Sequence, residues 1–267
     1  MDNSEFNYAY QYCNWHSDTE ESCNADIQFA QELFKTHNIF PKDKDSKVLE
    51  IGCGMGRFLL MLKQQGYKNL TGIDIDQSQI DVAKNAGLNV FLSDAIQWLE
   101  STTEKFDVIY FFDVLEHIEK SVQLKFLKYV HSHLNDDGMI AFTVPNAIAP
   151  SGMFYRYIDF THVISYTDIS LNFILNNANF HYIQVRPQHK ESKHILEIKQ
   201  PWAKIYKYEF GLQDVILTPN LVCVALKNDE DFRSYIANAP VIENDYLNLK
   251  KESQLQRFWR HLKTFKF

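Results

Sequence analysis

The chain has 267 residues, a formal charge of −7, 45% hydrophobic and 14% aromatic content. A chain this long buries a full core and accommodates one domain with additions, or two. The acidic balance leaves no overall basic footprint for nucleic acid, and no apolar run reaches membrane-spanning length.

The amino-terminal stretch Met1-Asp-Asn-Ser-Glu5 is acidic and lacks the apolar core of a signal peptide. Cys13, Cys23, Cys53 and Cys223 are scattered, with no CxxC pair and no metal-ligand spacing. They are expected as reduced thiols of a cytoplasmic protein, with no metal centre. Residues 1–30 are polar and aromatic. From Ser22 to His37 the apolar positions Ile27, Phe29, Ala30, Leu33 and Phe34 form a helical stripe.

The organising stretch is Val48-Leu-Glu-Ile-Gly-Cys-Gly-Met-Gly-Arg57, followed by the helix starter Phe58-Leu-Leu-Met-Leu62. Strand, glycine turn and helix open a doubly wound α/β sheet, whose ligands sit beyond the carboxyl ends of its strands. A dinucleotide turn places its third glycine one residue later than Gly56, so a nicotinamide oxidoreductase is disfavoured. Glu50 adds negative charge beside the turn, which suits a cationic amino or sulfonium group better than a pyrophosphate.

Asn69 to Asp74 reads as the second strand. Its terminal Asp74, with Ile75 beside it, lies about twenty residues past the glycines, where a carboxylate accepts both hydroxyls of a ribose. Gln77 to Ala86 forms a helix. Leu88 to Leu92 is a third strand, and Ser93-Asp94-Ala95 opens the helix through Trp98. Phe106 to Phe112, apolar almost throughout, is a central parallel strand running into Asp113-Val-Leu-Glu-His117. Val122 to Leu134 reads as a helix, Asn135-Asp-Asp-Gly138 as its end, and Met139 to Val144 as the fifth strand, closing at Pro145-Asn146.

The pattern Glu50-x-Gly52-x-Gly54-x-Gly56 resembles motif I of the class I S-adenosylmethionine-dependent methyltransferases. Residues 45–146 repeat that family's motifs in order, including Asp113-Val-Leu-Glu-His117 and Val144-Pro-Asn146. The resemblance implies a Rossmann-like, mostly parallel seven-stranded sheet that binds S-adenosylmethionine through Glu50, Gly52, Gly54, Gly56, Asp74, Ile75, Asp94, Ala95 and Asp113. It places the Asp94 carboxylate and the Ala95 N–H on the adenine; a helix cap is the other reading of Asp94. It also makes residues 1–40 an N-terminal helical lid, or a helix that simply covers the sheet.

Past Ala147, Asp159-x-Thr161-His162-x-x-x-Tyr166-Thr167, then a helix and the strand His181 to Arg186, resembles methyltransferases of bacterial surface-polysaccharide pathways. An insertion after strand five (147–167), joined by 188–220, would lie on the acceptor side of a domain spanning 41–228. Tyr155, Arg156 and His162 are the acceptor candidates: aromatics suit sugar faces, and Arg suits phosphate or carboxylate. His162 and His117 are the candidate catalytic bases. His117 could equally fix its loop, and Thr161 with His162 could merely pin the insertion.

Residues 188–219 carry a mixed pattern without assignment. Leu221 to Leu226 is a last strand, antiparallel beside strand six. The tail 229–267 ends in a basic amphipathic stripe, Leu255, Phe258, Trp259, Leu262 and Phe265. It suits an anionic membrane surface, a protein partner, its own domain or a second copy. The expected activity is methylation of a sugar hydroxyl or phosphate on a surface glycan. Other small-molecule, phenolic or protein acceptors, or a non-catalytic scaffold, are the alternatives.

Overall fold

The computed structural model describes residues 17–212, 214–228, 242 and 244–247. The amphipathic tail lies outside them. The chain divides into two compact units, Met1–His189 with Ile216–Ile242, and Lys190–Val215 with Glu243–Phe267.

In the first unit, α1 (Glu20–His37) precedes β1 (Lys47–Ile51), α2 (Arg57–Gln64), β2 (Asn69–Asp74), α3 (Gln77–Asn85), β3 (Val90–Leu92) and α4 (Ala95–Ser101). Then come β4 (Phe106–Phe112), a 3-10 turn (Leu115–His117), α5 (Lys120–Ser132), β5 (Leu134–Pro145), α6 (Gly152–Ile158), α7 (Asp168–Asn177), β6 (Tyr182–Pro187) and β7 (Asn220–Leu226). Among the described residues the sheet runs β3-β2-β1-β4-β5-β7-β6. Its first five strands are parallel, and β7 is antiparallel to both β5 and β6. The expected doubly wound, seven-stranded fold is what forms.

The central strands are buried on both faces, which explains their unbroken apolar runs. On one face Phe126, Leu127 and Val130 of α5, with Leu171 and Leu175 of α7, pack against Ile109, Phe111 and Phe142. On the other, Leu33 and Phe34 of α1, with Leu59 and Leu62 of α2, cover Val48, Val108 and Tyr110. Phe34 sits among Phe40, Phe58, Tyr110 and Phe112, with ring centroids 4.9 to 5.9 Å away. The N-terminal helix therefore covers the sheet. It is capped at Thr19, whose side chain accepts from the Ser22 N–H, and it ends in a left-handed Asn38.

Several boundaries differ from the sequence reading, most of all at the start of β5. The helix before β5 ends at Ser132, and Leu134 already belongs to the strand, pairing with Phe106. Its full burial and the Asn135 amide bond to Asp107 Oδ1 (2.6 Å) hold residues 134–138 along β4, with a register shift between Phe106 and Val108. The third strand begins at Val90, two residues late.

The second unit contains α8 (Lys193–Phe210), in the stretch where the sequence carried no assignment; Pro201 lies inside it. Ser192 caps its start, and Gly211, at φ 72°, ends it. The buried Glu191 carboxylate accepts the Tyr246 hydroxyl at 2.7 Å and pairs with Lys199. No helix among the described residues is long and apolar enough to cross a membrane.

A buried histidine tests this packing. His37 is fully buried with Nε2 3.0 Å from the Gln188 carbonyl, and burial, aided by Arg186, lowers its pKa from 6.5 to about 4. Between those values the unfolded chain binds a proton that the native one refuses, so stability falls as pH drops through that window. The shift corresponds to about 3 kcal/mol. His37→Gln should flatten this part of the acid limb when urea midpoints are measured from pH 7 to 4; an unchanged slope would contradict the assignment.

Candidate active site

At the carboxyl end of β1, Gly52, Gly54 and Gly56 have φ of 69°, 52° and 73°, values that side chains rarely adopt. A Cβ on Gly52 would sit 2.4 Å from Val114 Cγ2, and one on Gly56 2.3 Å from Leu88 Cδ1. The turn is stitched to β2. Gly52 and Cys53 donate their N–H groups to the Ile73 carbonyl at 2.8 and 3.0 Å. Gly54 donates to Asp74 Oδ2 at 2.8 Å, and Asp76 to Asp74 Oδ1 at 2.9 Å. Each Asp74 oxygen has further acceptor capacity, as two ribose hydroxyls require. Burial raises its pKa, and the N–H bonds oppose that rise.

Glu50 is buried, and its Oε2 has no hydrogen-bond partner. Burial first, then the nearby Asp74, push its carboxyl well above the usual range. A buried acid with one unpartnered oxygen beside a glycine turn could hold the ammonium-bearing end of S-adenosylmethionine. Ile75 and Leu92, at the ends of β2 and β3, are about half exposed, an apolar floor suited to a base ring. Asp94 makes the helix cap: Oδ1 accepts from Ile96 and Gln97 at 2.9 and 3.0 Å. Ala95 is the first residue of α4, where N–H groups lack helical partners.

Asp113, at the end of β4, is left-handed at φ 52°. Its N–H and Oδ1 are both held by Thr143, whose hydroxyl donates to Oδ1 at 2.8 Å. Its carboxylate thus fixes the strand end in addition to any ligand role. The Val114 contact with Gly52 places the following segment against the glycine turn.

Beyond it, the structure brings His117 and His162 together, ring centroids 4.6 Å apart. His117 Nδ1 lies 2.8 Å from Thr161 Oγ1, and that hydroxyl donates to Asp159 Oδ1 at 2.6 Å. The hydroxyl therefore accepts from His117 Nδ1–H. His162 Nδ1 donates to the Tyr155 carbonyl at 2.8 Å. Burial first, then His162, lower the His117 pKa to about 4.

Glu116, between them, is wholly buried with neither oxygen hydrogen-bonded, and burial, then Asp113 and Asp159, raise its pKa well above the carboxylate range. Sequence reasoning quoted Glu116 within its motif and gave it no role. The signal available was an acid beside the candidate base His117, just past a strand end.

The insertion is laced to this turn. Val163 N–H donates to the Glu116 carbonyl at 2.7 Å, and the Tyr166 hydroxyl to the Leu115 carbonyl at 3.3 Å. Arg156 Nη2 donates to the Val163 carbonyl at 2.7 Å, and its guanidinium lies 5.1 Å from the Tyr157 ring centroid. Of the acceptor candidates, the Tyr155 backbone carbonyl and one Arg156 nitrogen hold the insertion, and the His162 ring joins the cluster.

A family described as "methyltransferase domain" matches residues 23–185, more than half of the chain. The ubiquinone biosynthesis O-methyltransferase of Rickettsia felis is 33% identical over 105 residues, 38% of this chain and 41% of that one. The ribosomal protein L11 methyltransferase of Staphylococcus haemolyticus is 30% identical over 101 residues, 36% of this chain and 31% of that one. These matches span less than half the length of either relative. A SAM-dependent methyltransferase structure from Archaeoglobus fulgidus superposes with a TM-score of 0.64 at 21% identity, covering 82% of this chain and 99% of that one. With its seven-stranded sheet and glycine turn, the chain belongs to the methyltransferase-domain family, and its fold is that of S-adenosylmethionine-dependent methyltransferase structures.

Proposed function

We propose that the enzyme is an O-methyltransferase acting on a ring hydroxyl of a small molecule. The carrying observation is the paired imidazoles at the β4 edge, each with Nδ1–H anchored and Nε2 left as the basic atom. S-adenosylmethionine supplies the electrophilic methyl group. A hydroxyl oxygen attacking it must lose its proton, and in this reading, with no metal bound, His162 Nε2 holds or relays that proton.

A phosphate acceptor fits less well. It would meet the carboxylates of Glu116, Asp113 and Asp159, and Arg156 is turned to the Val163 carbonyl. The exposed Phe154, Tyr157 and Phe160 of the insertion offer ring faces. A sugar follows from the resemblance of the 159–167 segment to polysaccharide methyltransferases, and a phenol from the relatives named for ubiquinone biosynthesis. Both carry the ring hydroxyl that this reading requires. A cytoplasmic setting accords with Cys23, Cys53 and Cys223 standing as free thiols.

Asp74→Ala should weaken S-adenosylmethionine binding by about 1.5–3 kcal/mol, the worth of lost charge-assisted hydrogen bonds. Calorimetry showing unchanged affinity would refute the ribose role. His162→Ala should keep cofactor affinity while turnover on sugar or phenol acceptors drops roughly 10²–10⁴-fold. Near-normal turnover in that variant, with collapse in Arg156→Ala, would sink the hydroxyl reading and point to phosphate methylation.

A further inference from the structure

Among the described residues, Glu116, His117 and His162 form the group of metal-capable side chains that converges, one ligand atom from each lying within 4.8 Å of the others. Their hydrogen bonds fix which atoms face inward. The Tyr155 carbonyl can only accept, so His162 Nδ1 carries the proton and Nε2 a lone pair in the neutral ring. The Thr161 hydroxyl proton goes to Asp159, so His117 is likewise protonated at Nδ1. Histidines that ligate metals commonly donate the remote N–H to a carbonyl or to a group backed by a carboxylate. Both rings here are held that way.

The inward side is short of protons. His162 Nε2 lies 3.9 Å from Glu116 Oε1 and 3.7 Å from Asp159 Oδ2, beyond hydrogen-bonding distance. Both Glu116 oxygens are buried without a hydrogen-bond partner. A proton on His162 would pair with one carboxylate oxygen and leave the other, and His117 Nε2, unanswered. One divalent cation answers all three groups at once.

We propose that Glu116, His117 and His162 bind one divalent transition-metal ion, with open coordination positions for the acceptor oxygen. Two imidazoles and one carboxylate suit ions such as Zn²⁺ or Mn²⁺. Side-chain adjustment of about an ångström brings the three ligand atoms onto a common centre. The frame is in place: two ligands sit on the 3-10 turn, and the third sits in the insertion laced to it.

The site's catalytic role rests on the O-methyltransferase reading; its affinity for metal does not. With the ion bound, His162 Nε2 is a ligand and no longer the proton acceptor, and the metal takes over that task by lowering the pKa of the oxygen it coordinates. The hydroxyl proton passes to water, the O–CH₃ bond forms, and the S–CH₃ bond of the donor breaks to leave a neutral thioether.

The test uses the full chain, stripped with chelator and titrated calorimetrically with Mn²⁺ and with Zn²⁺. The expected result is one ion per chain, with affinity at least tenfold weaker in Glu116→Gln and in His162→Ala and S-adenosylmethionine affinity unchanged in both. His117→Asn serves as a third variant should the buried Glu116→Gln chain not fold. A wild-type protein that binds S-adenosylmethionine and takes up neither ion overturns the site, as does wild-type metal affinity in the folded variants. Chelation should lower turnover at least tenfold, with recovery on adding Mn²⁺. Chelator-insensitive turnover by a metal-binding enzyme overturns the catalytic role. Stoichiometric metal binding without turnover on any hydroxyl acceptor refutes the O-methyltransferase reading and leaves the site standing.

Discussion

Acidic side chains buried at the carboxyl edge of the sheet are the constraint on which the site depends. Glu50 is 4% exposed, Asp74 7% and Glu116 not at all. Removing a carboxylate from water costs several kcal/mol unless donors or cations replace the solvent. Asp74 gets two backbone N–H groups from the surrounding turns, whereas Glu50 keeps one buried oxygen, and Glu116 both, without a hydrogen bond. A scaffold selected for stability alone would neutralise such positions. Their presence makes sense if cationic partners arrive at both places, one beside the glycine turn and one between the histidines.

The fold can carry this charge because the rest of it is over-determined. Apolar layers cover both faces of the sheet, and the strands beneath the site are almost wholly buried. Asn146, fully buried, then directs the chain out of β5. Its amide donates to the Ile216 and Thr218 carbonyls at 2.7 and 2.9 Å, and its Oδ1 accepts the Ile148 N–H. From that anchor the insertion returns to the 3-10 turn through the Val163 and Tyr166 bonds. His162 is thereby held opposite a residue 45 positions earlier.

The donor side was legible in the sequence because its determinants are local. A strand, three glycines and an acid at a fixed offset need no tertiary knowledge, and Glu50, Gly54 and Asp74 lie where that spacing put them. The acceptor side was half legible. His117 and His162 stood out as residue types, but their contact depends on the path of the insertion, which no spacing encodes. Glu116 escaped for a different reason: its significance lies in full burial without partners, a property of the packed chain. Arg156 stood out because a guanidinium's chemistry advertises anions; that one of its nitrogens holds the Val163 carbonyl depends on the path of the insertion. Helix α8 was hidden by Pro201, which interrupts the amphipathic signal without ending the helix.

The distribution of acids also bears on the transfer itself. The donor is a sulfonium that becomes a neutral thioether, so uncompensated negative charge near the sulfur would favour the reactant over the transition state. An acid is best placed against a group whose charge survives the reaction, as the ammonium's does, and Glu50 beside the glycine turn suits that task. At the β4 end the carboxylates are tempered: Asp113 Oδ1 accepts from Thr143, and Asp159 Oδ1 takes both the N–H and the hydroxyl of Thr161. Glu116 is the exception, and its neighbours are two imidazoles. At that edge Asp113 and Asp159 thus have their charge damped by hydrogen bonds and Glu116 faces two imidazoles, while Glu50, with one oxygen unpartnered, sits beside the glycine turn where a permanent cation can meet it.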